Sequence, residues 1–98
     1  MRCLFVGIPR HFQTMGKYEK LLDKILEGRA DASISFRDLR HLLMRLGFTE
    51  RIRGSHHLFR HVDSGARINL QSAGAMARPY QVTQARIVIV ELQEGKSN

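Results

Sequence analysis

The run Arg53-Gly54-Ser55-His56-His57-Leu58-Phe59 holds the residues best suited to chemistry in this chain. Two adjacent histidines open an apolar, strand-like stretch directly after a Gly-Ser turn. Imidazole gives and takes protons near neutral pH. Arg53, Arg60 and Arg67 lie nearby, and guanidinium grips phosphate through two parallel N–H groups. RNA carries its own nucleophile, the 2′-hydroxyl, which attacks the adjacent phosphorus. Cleavage then needs a base for that proton, cations to steady the phosphorane and an acid for the leaving oxygen. His56 suits the base or the acid, and the arginines suit the phosphate. DNA lacks the hydroxyl and is not a substrate for this reaction. The plainer reading makes both histidines ordinary strand residues, since proton chemistry is one of several uses of imidazole.

Ninety-eight residues make one domain with a modest core. Sixteen Lys and Arg against nine Asp and Glu give a net charge of +7. That excess passes the screen for nucleic-acid binding, and it suits an acidic protein partner equally well. Cys3 is the only cysteine, which rules out an intramolecular disulfide and the usual structural zinc sites. The five histidines do not follow the HExxH metal pattern. No metal and no cofactor is therefore expected. The apolar run before Pro9 is shorter than a signal-peptide core, and no later segment is long enough to span a membrane. The expected location is the cytoplasm.

The elements that position the histidines follow from periodicity. Residues 1–14 show none, and read as a disordered tail or a misassigned start, with Met15 as the natural first residue. Cys3 and His11 then have no role. Tyr18, Leu21, Leu22, Ile25 and Leu26 recur at helical spacing until Gly28. After a connector over 30–33, Ser35 and Asp38 form a capping box that opens a second helix carrying Phe36, Leu39, Leu43 and Leu46. Arg37, Arg40 and Arg45 read as its solvated basic face. Strands are expected over 48–53, 56–62 and 66–71, joined by Gly54-Ser55 and Asp63-Ser64-Gly65. Residues 72–77 read as a flexible loop. A last helix starts at Pro79, with Val82, Ala85, Val88, Ile89 and Leu92 on one face, although Ile87-Val88-Ile89-Val90 argues locally for a strand. The globular domain spans 15–94, and 95–98 is a polar tail.

The expected class is α+β, in the order α-α-β-β-β-α. A three-stranded antiparallel sheet packs on helices and leaves its other face open. Side chains alternate along a strand, so His56, Leu58 and Arg60 share one face and His57, Phe59 and His61 the other. Phe59 belongs against the helices, which puts His56 and Arg60 on the open face. His57 falls at the rim of the core, where its nitrogens need partners. His41 and His61 read as structural or solvated, and Met44 and Met76 as packing residues. Tyr80 and Gln81 sit at an ordinary helix start.

The segment from Phe36 to Leu92 resembles the HicA family of bacterial toxin ribonucleases. The resemblance rests on Leu46-Gly47-Phe48 ending a helix, a short strand, Gly54-Ser55-His56 opening the next, a third strand and a final helix. It covers somewhat more than half of the chain. It departs from the family in the extra helix over 17–27 and in the displaced Pro79. The resemblance implies a double-stranded-RNA-binding-domain-like fold and a toxin that cleaves mRNA and blocks translation. It further implies a HicB-type antitoxin over the site, with oligomers formed through that complex. The family's catalytic histidine maps to His56, with His57 as the alternative. Arg53, Ser55, Arg60 and Arg67 are the expected RNA contacts. The competing functions are a non-catalytic RNA-binding module and a basic protein-interaction subunit. A helix-turn-helix DNA reader fits less well, because the basic residues lie on strands.

Overall fold

Helix α1, Lys17–Glu27, forms where the apolar residues recur at helical spacing, and it buries Leu22 and Ile25. At its start the Gly16 amide donates to Glu19 Oε1 at 3.0 Å. Gly28 ends it in the left-handed region (φ 73°), with its amide donating to the Ile25 carbonyl. The computed structural model describes residues 16–95, so the expected tail 1–14, Cys3, His11 and residues 96–98 lie outside the described residues.

A short 3-10 turn, Asp31–Ser33, leads into α2, Phe36–Arg45. The Ser35 hydroxyl caps α2 by accepting from the Asp38 amide at 3.2 Å, as the capping box predicts. Strands β1 (Phe48–Arg53), β2 (His56–His61) and β3 (Arg67–Gln71) form an antiparallel sheet in sequence order. The second and third strands are each one residue shorter than expected. Gly54 takes φ 61° and Ser55 stays at negative φ, which suits the two-residue hairpin turn with glycine first. Helix α3, Pro79–Gln93, closes the chain. The observed class is α+β in the order α-α-β-β-β-α, as expected. Among the described residues no helix is long and apolar enough to cross a membrane.

Phe59, Ile68 and Leu70 of the sheet meet Leu39, Leu42 and Leu43 of α2 and Val82, Ala85 and Ile89 of α3. Helix α2 lies against β1, α3 against β3, and α1 against both helices. The β-branched run 87–90 is helical because Val82, Ala85 and Ile89 at spacings of three and four are the buried set. Burial of one helical stripe outweighs the local β preference.

Three local expectations fail. The stretch 72–77 is tied down, since Phe36 donates to the Ala75 carbonyl and the Ala77 amide to the Ile34 carbonyl, at 2.9 and 2.8 Å. Met76 sits in the isolated bridge to Ser35, and its neighbour Ala77 is buried, so alternation turns Met76 outward. Met44 is also exposed, because it falls off the Leu39, Leu42, Leu43 stripe of α2.

Candidate nucleic-acid interface

Strand register sorts the sheet residues onto two faces. Phe48 pairs with His61, Glu50 with Phe59 and Ile52 with His57, so these six share the helix-covered face. The open face then carries three cross-strand rows. Arg53, His56 and Gln71 form the row beside the Gly54-Ser55 turn. Arg51, Leu58 and Asn69 form the middle row, and Thr49, Arg60 and Arg67 the third. The alternation expected for β2 is the one observed, because Phe59 is buried at 2% exposure while His56 and Arg60 are exposed.

Among the described residues the open face gathers four arginines, one histidine and two amides, and no carboxylate. None of the four arginines forms an ion pair among the described residues. A shallow groove of about 660 Å³ crosses this face, lined by Thr49, Arg51, Leu58, Arg60, Arg67, Asn69 and Gln84 among others. Glu50 borders the groove, but its carboxylate is held on the covered side by Arg40 and His57. Ser55 lies exposed in the turn, where its hydroxyl accepts from Gln71 Nε2 at 3.4 Å.

Three of the four described histidines are engaged through their rings. His57 Nδ1 lies 2.7 Å from Glu50 Oε2, and its ring meets the edge of Phe36 at 5.1 Å. A carboxylate only accepts, so His57 is the donor. His61 Nδ1 accepts from the Ser64 amide at 3.2 Å. Its Nε2 therefore carries the proton and donates to the Leu46 carbonyl at 3.0 Å. His41 Nδ1 lies 3.3 Å from the Tyr18 hydroxyl. The ring of His56 has no hydrogen-bond partner among the described residues and faces solvent beside Arg53 and Gln71.

Glu50 is the charged centre of the covered face. Arg40 Nε donates to Oε2 at 2.7 Å and Nη2 to Oε1 at 2.8 Å, a bidentate grip. Arg40 foremost, and His57 after it, hold the Glu50 carboxyl below its ordinary range, against the opposing effect of burial. Arg40 is thus an interior partner of the sheet and not part of a solvated basic face, contrary to the expectation from spacing. Arg45 stacks over the Tyr18 ring with Cζ 4.9 Å from its centroid.

The structure brings Arg53, His56, Arg60 and Arg67 onto one surface and adds Arg51, Asn69, Gln71 and Thr49 to it. Arg51 was findable from strand alternation, two positions before Arg53. Gln81, expected as an ordinary helix-start residue, is 2% exposed and bonds the Gln71 carbonyl through Nε2 at 3.0 Å. That bond fixes the end of β3 that pairs with His56. Among the described residues, no three His, Cys, Asp or Glu side chains gather as a metal-binding group. No protein family, no curated protein and no solved structure matches this chain.

Proposed function

We propose that the chain is an endoribonuclease that cleaves mRNA through His56, acting as a cytoplasmic toxin restrained by a HicB-type antitoxin. The observation that carries this reading is an exposed histidine with no hydrogen-bond partner among the described residues, on a sheet face where four arginines and no carboxylate of those residues gather. The Gly54-Ser55-His56 resemblance to the HicA toxins supports the toxin assignment. The burial of His57 and its bond to Glu50 support His56 over it as the catalytic histidine.

The chemistry follows from the substrate. The 2′-oxygen of the ribose attacks the adjacent phosphorus, and the bond from phosphorus to the 5′-oxygen breaks. The 2′-hydroxyl proton passes to His56 or to water, and a proton from the other source ends on the 5′-oxygen. The products are a 2′,3′-cyclic phosphate and a free 5′-hydroxyl. Arg53, in the same cross-strand row as His56, steadies the charge of the phosphorane. No step requires a metal, since the ribose supplies the nucleophile.

The test compares wild type, His56→Ala and His57→Ala for growth arrest on induction and for cleavage of a purified RNA. The expected result is arrest and a cyclic-phosphate end in wild type, both lost in folded His56→Ala. Cleavage that survives His56→Ala, or that proceeds on a strand lacking the 2′-hydroxyl, overturns the mechanism. RNA binding without cleavage by wild type leaves the non-catalytic RNA-binding module.

A further inference from the structure

We propose that Arg60 and Arg67 form a second phosphate subsite, two rows from His56, which holds a single RNA strand laid along β2. This rests on the reading of the open face as an RNA site, and it specifies the form of RNA that binds there.

Arg60 and Arg67 are direct cross-strand partners. The neighbouring pair His61 and Ala66 is hydrogen-bonded, with His61 N donating to Ala66 O at 2.8 Å. Arg60 and Arg67 therefore occupy the non-hydrogen-bonded position, where side chains approach most closely. Like charges opposed in this way are unfavourable by themselves. Their neighbours Thr49 and Asn69 are uncharged, and among the described residues no ion pair offsets the repulsion. A phosphate between the two guanidinium groups turns it into attraction and accepts paired hydrogen bonds from each.

Distance separates this subsite from the chemistry. His56 and Arg60 are four positions apart along β2, about 13 Å at the usual strand rise. One phosphate cannot touch both. Arg51 of β1 stands in the row between them, opposite Leu58, so each cross-strand row carries a cation and the rows recur every two residues, roughly the length of one nucleotide in an extended strand. Asn69 lies among the arginines, with amide donors and acceptors that match exposed base edges. A duplex hides those edges, whereas an unpaired strand presents them. An acidic protein segment would also satisfy the charge, but a cation in each of three successive cross-strand rows favours a polyphosphate chain.

The experiment uses the full chain with Arg60→Gln/Arg67→Gln and with Arg60→Lys/Arg67→Lys. Both residues are exposed, so the fold should survive, and circular dichroism checks that it does. Binding is measured in the His56→Ala background against an eight-nucleotide single strand, the matching duplex and a dinucleotide with one phosphate. The Gln pair should weaken binding of the octamer roughly tenfold or more. It should also reduce the salt slope of that binding by about 0.7, the value for one lost phosphate contact on a single strand. The Lys pair should recover much of the affinity. The dinucleotide should bind the Gln pair and its parent equally. Unchanged octamer binding, an equal loss on the dinucleotide, or an equal loss on the duplex would each overturn the proposal. These binding measurements do not depend on cleavage, so failure of the His56 mechanism would leave them interpretable.

Discussion

His57 donates from Nδ1 to Glu50 Oε2 at 2.7 Å, and Glu50 in turn receives a bidentate grip from Arg40. One carboxylate on β1 thereby joins β2 to α2 directly beneath the open face. Glu50 and His57 are diagonal across the strand pair, within reach of long side chains. Glu50→Gln removes the charge that both partners need and leaves a part-buried guanidinium unpaired. The expected loss is about 3 kcal/mol, at the low end for breaking a buried pair because Arg40 keeps some solvent contact. Chemical denaturation at neutral pH measures it. A change well under 1 kcal/mol would mean that solvent screens the network.

The same carboxylate, together with Asp31, sets the acid limit of the fold. Arg86 binds both oxygens of Asp31 at 2.9 Å and also donates to the Ile25 carbonyl near the end of α1. Arg86 chiefly, opposed by burial, holds the Asp31 carboxyl below its ordinary 3.8, while Glu50 lies below 4.5. A carboxyl whose pKa is lowered in the fold adds stability above its unfolded value, and that stability is lost as pH falls through the folded value. Melting temperature should therefore hold steady through neutral pH and fall once the pH drops below about 4.5. Asp31→Asn and Glu50→Gln should each flatten that fall while lowering stability at pH 7. A variant that melts lower at pH 7 yet shows the wild-type acid profile would count against this account.

Gly47 follows α2 at φ 102°, and a Cβ there would stand 3.0 Å from His61 Nε2. That nitrogen donates to the Leu46 carbonyl and cannot move freely. Gly47→Ala should cost about 1–3 kcal/mol through backbone strain alone. His61→Ala costs stability by itself, because its ring bonds the Leu46 carbonyl and the Ser64 amide. In a double-mutant cycle read by thermal melts, Gly47→Ala should cost less in the His61→Ala background than beside the intact ring, yet still retain the strain. A cost near zero in that background would show that the contact, and not the backbone conformation, requires glycine.

Contacts set by short-range pattern were legible in the sequence. The apolar stripe of α1, the Ser35 cap of α2 and the Gly54-Ser55 hairpin need only a few neighbouring residues to specify them. Alternation along β2 then placed His56 outside and Phe59 inside. Long-range pairings were not legible. Arg40 and Glu50 are ten residues apart on different elements, and Arg86 meets Asp31 across 55 residues. Helical spacing shows which side of α2 carries Arg40, but not that β1 presents a carboxylate there. Gln81 was missed similarly, since a glutamine near a helix start looks solvated until the end of β3 is known to lie against it. The open face was half legible for a related reason. Alternation sorts each strand by itself, but cross-strand register is needed to align Arg60 with Arg67 and Arg53 with His56.

Gln81 gives the most specific link between packing and the candidate site. Its Nε2 donates to the Gln71 carbonyl at 3.0 Å, and its Oε1 accepts from the Arg78 amide at 3.4 Å. Gln71 is the cross-strand partner of His56, and its own side chain donates to Ser55 Oγ. A Leu in place of Gln81 keeps the volume but leaves the Gln71 carbonyl and the Arg78 amide without their partner. The expected loss is about 1–3 kcal/mol, the desolvation cost of an unpaired buried polar group. Gln81→Leu should also raise amide exchange at Ser72, whose N–H bonds the Ser55 carbonyl at 2.9 Å, more than at the far end of β3. RNA cleavage should fall with it, while Gly47→Ala, at the opposite end of the sheet, lowers stability with cleavage retained in the folded protein. Equal effects of the two substitutions on cleavage would mean that the Gln71 end of the sheet has no special part in holding His56.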